Sequence, residues 1–158
     1  MIQHGKSLAP AVHDICGSLE SLLLGTSGRL LSVISENSKE ATLKITSTQP
    51  DRAPIEITLD EDFGAYLKVG RGSIFEIPFE GNRYTKYDFV EEIAALVGGI
   101  INSGFEEDVV TSKDKVIGAS GIIRRSGNLT QDAHESWRRI SWDLFSKRER
   151  THHTYFPY

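Results

Sequence analysis

Between residues 41 and 79 the hydrophobic side chains fall on every second position, segment after segment. In residues 41–48, Leu43 and Ile45 alternate with Thr42, Lys44 and Thr46; in residues 55–59, Ile55, Ile57 and Leu59 alternate with Glu56 and Thr58. A strand sends successive side chains to opposite faces, so this period predicts half-buried strands of an antiparallel sheet. Residues 65–69 and 73–79 extend the series. Gly70-Arg71-Gly72 between them predicts a three-residue hairpin, with glycines available for positive φ. Residues 49–54 read as a loop. Residues 29–35 fit either a helix turn or a buried strand. The hairpin-like Glu36-Asn37-Ser38-Lys39 that follows favours the strand.

Other segments repeat every three to four residues. Residues 7–24 carry Leu8, Val12, Ile15, Leu19, Leu22 and Leu23 as one apolar stripe. Ser7 is placed to cap that helix, and Pro10 is tolerated in its first turn. Gly25 is placed to end it in a left-handed conformation. Residues 84–103 carry Phe89, Val90, Ile93, Leu96, Val97, Ile100 and Ile101, and Gly104 is a natural stop. Residues 105–111 and 115–125 predict a further hairpin across Ser112-Lys113-Asp114. Residues 130–146 predict a last helix, with Ala133, Trp137, Ile140 and Leu144 on one face. Residues 151–158, rich in histidine and aromatics, show no period and are expected as a tail.

This order lacks the βαβ rhythm of a parallel sheet. It predicts an α+β fold: an antiparallel or mixed sheet of about six or seven strands with helices packed on one face. A chain of 158 residues suits one domain, expected over residues 1–150 with the tail at 151–158. No apolar run is long enough to span a bilayer, and the start shows no secretory pattern. The single Cys16 excludes an internal disulfide. These features predict a cytoplasmic protein that needs no membrane.

The net charge of -4 is unevenly distributed. Residues 60–108 hold 11 acidic against 4 basic side chains, whereas residues 124–158 hold 7 basic against 4 acidic. An acidic middle repels phosphate and so disfavours nucleic acid as a direct ligand. The acidic residues form three groups: Asp60-Glu61-Asp62, Glu91-Glu92 and Glu106-Glu107-Asp108. Such groups can solvate loops, serve acid–base or metal chemistry, or steer a basic partner. The acidic segment and the basic C-terminal region can also pair within the fold.

No catalytic motif stands out. His13 and Cys16 are neighbours on the first helix, but no second ligand pair follows at zinc spacing. His134, His152 and His153 could bind a transition metal, yet no carboxylate is placed to complete the set. Gly118-Ala119-Ser120-Gly121 has the wrong spacing for a nucleophile elbow and is better read as a bulge or close strand packing. Gly70-Arg71-Gly72 lacks the rest of a dinucleotide fingerprint. No cofactor and no metal are therefore assigned. Gly98-Gly99 in a helix interior suggests close approach of another backbone, within the fold or from a partner. Trp142 lies off the stripe of its expected helix, as an interface anchor would; a fold-back of the C-terminal aromatics over it is the alternative.

The stretch Gly70-Arg71-Gly72-Ser73-Ile74-Phe75-Glu76-Ile77-Pro78 is followed by a long helix ending Ile100-Ile101-Asn102-Ser103-Gly104. Then come Glu106-Glu107, a strand hairpin and the ending Tyr155-Phe156-Pro157-Tyr158. Together these resemble a pattern in small bacterial proteins of unknown or toxin-immunity-type function. That resemblance implies a stand-alone α+β protein that neutralises a toxin domain, and it carries over no catalytic residue. The expected function is a non-catalytic protein-binding module. Asp60, Glu61, Asp62, Glu91, Glu92, Glu106, Glu107 and Asp108 would meet a basic partner, and Trp142 would anchor it. The alternatives are a small metal-dependent or hydrolytic enzyme using the C-terminal histidines and carboxylates, and a subunit that self-associates through a strand edge or the Gly98-Gly99 face.

Overall fold

The computed structural model describes residues 9–34, 40–60, 64–78, 86–124, 136–137 and 147–158. The first helix, α1, spans Ala9–Leu23. Its stripe of Val12, Ile15, Leu19 and Leu23 is buried. The helix ends as expected at Gly25, whose φ is 76°, and Thr26 closes the last turn by donating both its N–H and its hydroxyl to the Leu23 carbonyl. Ser7 and Leu8 lie outside the described residues.

Five strands follow: β1 (Gly28–Ile34), β2 (Glu40–Ser47), β3 (Ile55–Asp60), β4 (Gly64–Val69) and β5 (Ser73–Pro78). They form an antiparallel meander in sequence order. Of the ambiguous segment 29–35, residues 29–34 are thus strand, and Ser35 lies outside the described residues. The register places Leu43 opposite Ile57, Ile57 opposite Leu67, and Leu67 opposite Phe75. Every one of these side chains is buried, as are Ile45, Ile55 and Val69 in the next row. The alternating pattern therefore does what its chemistry requires: one face of the sheet builds the core while Thr, Lys and Glu take the other.

The second helix, α2 (Lys86–Ser103), buries Ile93, Leu96, Val97, Ile100 and Ile101. Gly104 ends it at φ 82°, donating to the Ile100 carbonyl. α1 packs on α2 and β1, and α2 reaches the second sheet. A Cβ built on Gly98 would lie 3.5 Å from Leu22 of α1, and one on Gly99 would lie 3.2 Å from Ile123. These neighbours are side chains of the same fold, not the close backbone expected from Gly98-Gly99.

The second sheet comprises β6 (Phe105–Ser112), β7 (Lys115–Ile123), β8 (Ser136–Trp137) and β9 (Arg148–Tyr155), in the order β8-β7-β6-β9. Lys113 and Asp114, both at positive φ, make the tight β6–β7 turn. The α+β class, antiparallel pairing and helix packing agree with expectation. The strands, however, divide between two sheets. Two further expectations fail locally. Ser136 and Trp137, placed in a last helix, are extended and pair with Gly121 and Ser120. The remainder of residues 130–146 lies outside the described residues. The supposed tail enters the sheet, with residues 148–155 of β9 paired along the whole of β6. Among the described residues β9 is an edge strand, and its side chains are mostly exposed, so it carries no hydrophobic alternation from which a strand can be read.

A single cluster of buried residues runs from α1 through the first sheet and α2 to Phe105 and Ile123. The chain beyond β9 is fixed to it. Phe156 donates to the Asp51 carbonyl, Tyr158 donates its N–H to the Ile101 carbonyl, and the Tyr158 hydroxyl donates to the Ala53 carbonyl.

Candidate functional site

β6 splits the third acidic group by strand geometry alone. Phe105, Glu107 and Val109 face inward and are buried, while Glu106 and Asp108 face outward. Glu107 is only 1% exposed. A buried carboxylate requires donors, and the β4–β5 turn supplies them. Oε1 accepts from the Arg71 N–H at 2.6 Å and from the Tyr155 hydroxyl at 2.9 Å. Oε2 accepts from the Ser73 hydroxyl at 2.8 Å and from the N–H groups of Gly72 and Ser73, both at 3.3 Å. Successive backbone N–H groups of a tight turn make an anion-binding concavity, and this one is filled by the protein itself. Gly70, at φ 64°, has no room for a Cβ because Glu107 and Tyr155 occupy that space. Burial, then the Glu107 charge and hydrogen bond, push the Tyr155 phenol up.

The outward residues pair with the basic C-terminal region. Asp108 accepts from Arg150 at 2.7 Å and contacts His152 Nδ1 at 3.0 Å. Hydrogen bonds from those two groups hold its carboxyl below the usual range. Glu106 pairs with Arg124 at 3.0 Å, and the Arg124 guanidinium lies 6.0 Å from the Phe156 ring centre. Of Glu106, Glu107 and Asp108, expected together on a partner-facing acidic surface, only Glu107 is withdrawn from the surface. Glu106 and Asp108 stay half-exposed, the first paired with Arg124 just after β7 and the second with Arg150 of β9.

His152 and His153 serve opposite faces of β9. His152 meets Asp108, whereas His153 Nε2 sits 3.3 Å from Arg71 and 3.0 Å from the Thr151 hydroxyl. The two rings do not converge on a common point, and His134 lies outside the described residues. His13 is exposed beside Asp14. Burial, with help from Glu20, pushes the Cys16 thiol up, away from thiolate reactivity. Among the described residues no three His, Cys, Asp or Glu side chains gather as a metal site. Gly121, from the elbow-like motif, is a close-packing glycine whose missing Cβ would strike Phe105 and Ser73.

Asp60 ends β3, half-buried and directly opposite Glu40. Glu91 is exposed on α2 and Glu92 half-buried. Glu61, Asp62 and Trp142 lie outside the described residues. The structure adds a surface that motif reading missed, the outward face of the first sheet. One cross-strand row runs Leu31, Lys44, Glu56, Lys68 and Ile74; the next contains Thr42, Thr58, Tyr66 and Glu76; the last contains Glu40 and Asp60. Leu31 is 59% and Tyr66 37% exposed. Lys44 and Glu56 pair at 3.1 Å. The face is graded along its strands, with Arg29, Lys44 and Lys68 towards one end and Glu40, Asp60 and Glu76 towards the other. The signal for it lay in the polar half of the alternating pattern.

Comparison with protein-family models, curated proteins and solved structures finds no match to this chain. Among the described residues, no helix is long and apolar enough to cross a membrane.

Proposed function

We propose that this protein is a non-catalytic, cytoplasmic protein-binding module of the toxin-neutralising kind, and that it receives a basic partner domain on the outward face of its first sheet. The observation that carries this reading is the exposed Tyr66 between Glu76 and the Glu40–Asp60 pair, on a sheet whose other face is core. A rigid aromatic on a rigid sheet anchors a partner at little entropic cost, and surrounding carboxylates speed the approach of a cationic surface. Glu61 and Asp62 continue the acidic end in sequence. Glu91, Glu92 and Trp142 remain proposed contacts. Glu107 drops out because it is buried, while Glu106 and Asp108 remain proposed contacts, each in a surface ion pair.

The test is affinity capture from source-cell lysate at low salt, comparing wild type with Tyr66→Ala and with Asp60→Lys/Glu76→Lys. The expected result is a basic protein retained by wild type and lost from both variants. Equal retention by all three, or no retained protein, would refute the assignment.

A further inference from the structure

The turn between β4 and β5 holds Glu107 as a receptor holds a ligand. Five donors meet its two carboxylate oxygens: the N–H groups of Arg71, Gly72 and Ser73 and the hydroxyls of Ser73 and Tyr155. Three of these are consecutive backbone N–H groups, which cannot turn round to accept. Four of the five belong to residues 71–73, so the first sheet builds most of the site while its occupant comes from the second. The turn is also held by contacts that do not involve Glu107. Val69 pairs with Ser73 across the hairpin, Gly70 takes φ 64°, and its N–H donates to the Pro54 carbonyl at 2.9 Å.

Size and chemistry define what else this turn would take. Ser73 and Phe105 are fully buried. Gly72 has no room for a Cβ beside Val116, nor Gly121 beside Phe105 and Ser73, so the walls are closed. The space is that of the Glu107 side chain and little more. Truncating that side chain to alanine removes a methylene and the carboxylate, which together are the heavy-atom skeleton of acetate. Chloride offers a single centre to donors arranged around two oxygens. A neutral amide would turn an NH2 towards donors that cannot accept. Arg71 is exposed and Tyr155 half-buried, and they give the site its solvent side.

We propose that residues 71–73 with Tyr155 are a carboxylate-binding site in their own right, with Glu107 as the resident ligand, and that a free small monocarboxylate occupies it when that side chain is withdrawn. The site lies between the two sheets rather than on the Tyr66 face, so the inference stands apart from the proposed function.

Urea unfolding of Glu107→Ala tests it, with sodium acetate compared against sodium chloride at one ionic strength. Acetate is expected to raise the midpoint by about 0.7 M for each tenfold increase in its concentration once the site fills. Chloride at the same ionic strength and acetamide at the same concentration are expected to leave the midpoint within about 0.1 M. Wild type, whose site is occupied, is expected to respond equally to acetate and chloride. Adding Ser73→Ala to Glu107→Ala is expected to raise the acetate needed for a given shift at least about threefold. If Glu107→Ala is unfolded in chloride, circular dichroism follows its folding by acetate directly, and Gly98→Ala/Glu107→Ala repeats the test in a more stable chain. Equal midpoints in acetate and chloride would overturn the proposal. So would an acetamide effect as large as that of acetate, or the same acetate effect in wild type. Failure of about 0.5 M acetate to fold either variant would overturn it as well.

Discussion

Replacing Glu107 by glutamine changes one heavy atom and almost no volume, so it isolates what the buried carboxylate does. Each carboxylate oxygen accepts from a different set: Arg71 N–H and Tyr155 hydroxyl on one, Gly72 N–H, Ser73 N–H and Ser73 hydroxyl on the other. The glutamine amide must present its NH2 to one of these sets. Turned towards the three-donor set, it faces two N–H groups that cannot reverse. Turned towards Arg71 and Tyr155, only the phenol can rotate to accept, and the Arg71 N–H loses its partner. The second orientation is the cheaper. An unsatisfied buried donor costs about 1–3 kcal/mol, and hydrogen bonds to a charged acceptor exceed neutral ones by about 1 kcal/mol each. Because Arg71 and Tyr155 are only partly buried, we expect a net loss of about 2 kcal/mol. Urea unfolding measures it: at a slope of about 2 kcal/mol/M the midpoint falls by about 1 M with the slope unchanged. Asp108→Asn, which breaks an exposed pair, is the control and costs less than about 1 kcal/mol. A Glu107→Gln midpoint within about 0.2 M of wild type would refute the reasoning.

Three further outcomes follow from the same geometry. Burial pushes the Tyr158 phenol up to about 12 from 10.0; because the folded value is the higher, the unfolded chain sheds this proton first. Stability is therefore lost as pH rises from about 10 towards 12, and Tyr158→Phe should flatten that part of a urea-midpoint profile. Deleting residues 156–158 removes a half-buried tyrosine and two backbone hydrogen bonds, at a cost of about 3 kcal/mol. Calorimetry should then show Tm lower by about 10 °C. Gly98→Ala places its Cβ at ordinary contact distance from Leu22 and should stabilise by about 0.5–1 kcal/mol in urea titration. Gly121→Ala, which strikes Phe105, should destabilise by more than about 2 kcal/mol in the same assay.

The parts legible in the sequence are those where hydrophobicity itself carries the period. The first sheet was readable because Leu43, Ile57 and Leu67 must all be on its inner face; α2 because Ile93, Val97 and Ile100 fall on one stripe. β9 was not readable because only His153 and Tyr155 of its eight side chains are even half-buried, so no apolar alternation marks it. Residues 136–137 were misassigned because a three-to-four spacing of apolar residues does not exclude a short extended pair. The candidate site fared unevenly. The run Glu106-Glu107-Asp108 looked like a uniform acidic patch, but alternation along β6 gives its middle residue a different environment from its neighbours. That split follows from the predicted strand itself. The donors waiting for Glu107, thirty-four to thirty-six residues earlier in the chain, do not.

The position of β9 has a consequence for synthesis on the ribosome. β6 finds one neighbour immediately, in β7, but the other only after the chain has grown to residue 155. Until then Glu107 lacks the Tyr155 hydroxyl, and the loop at residues 51–53 lacks the backbone and phenol of residues 156–158 that close over it. The first sheet and both helices can assemble from local contacts while translation continues. Closure of the second sheet waits for chain emergence. In the interval β6 presents an open edge to whatever else is nearby, so early release or stalling in this region exposes the nascent protein to mispairing.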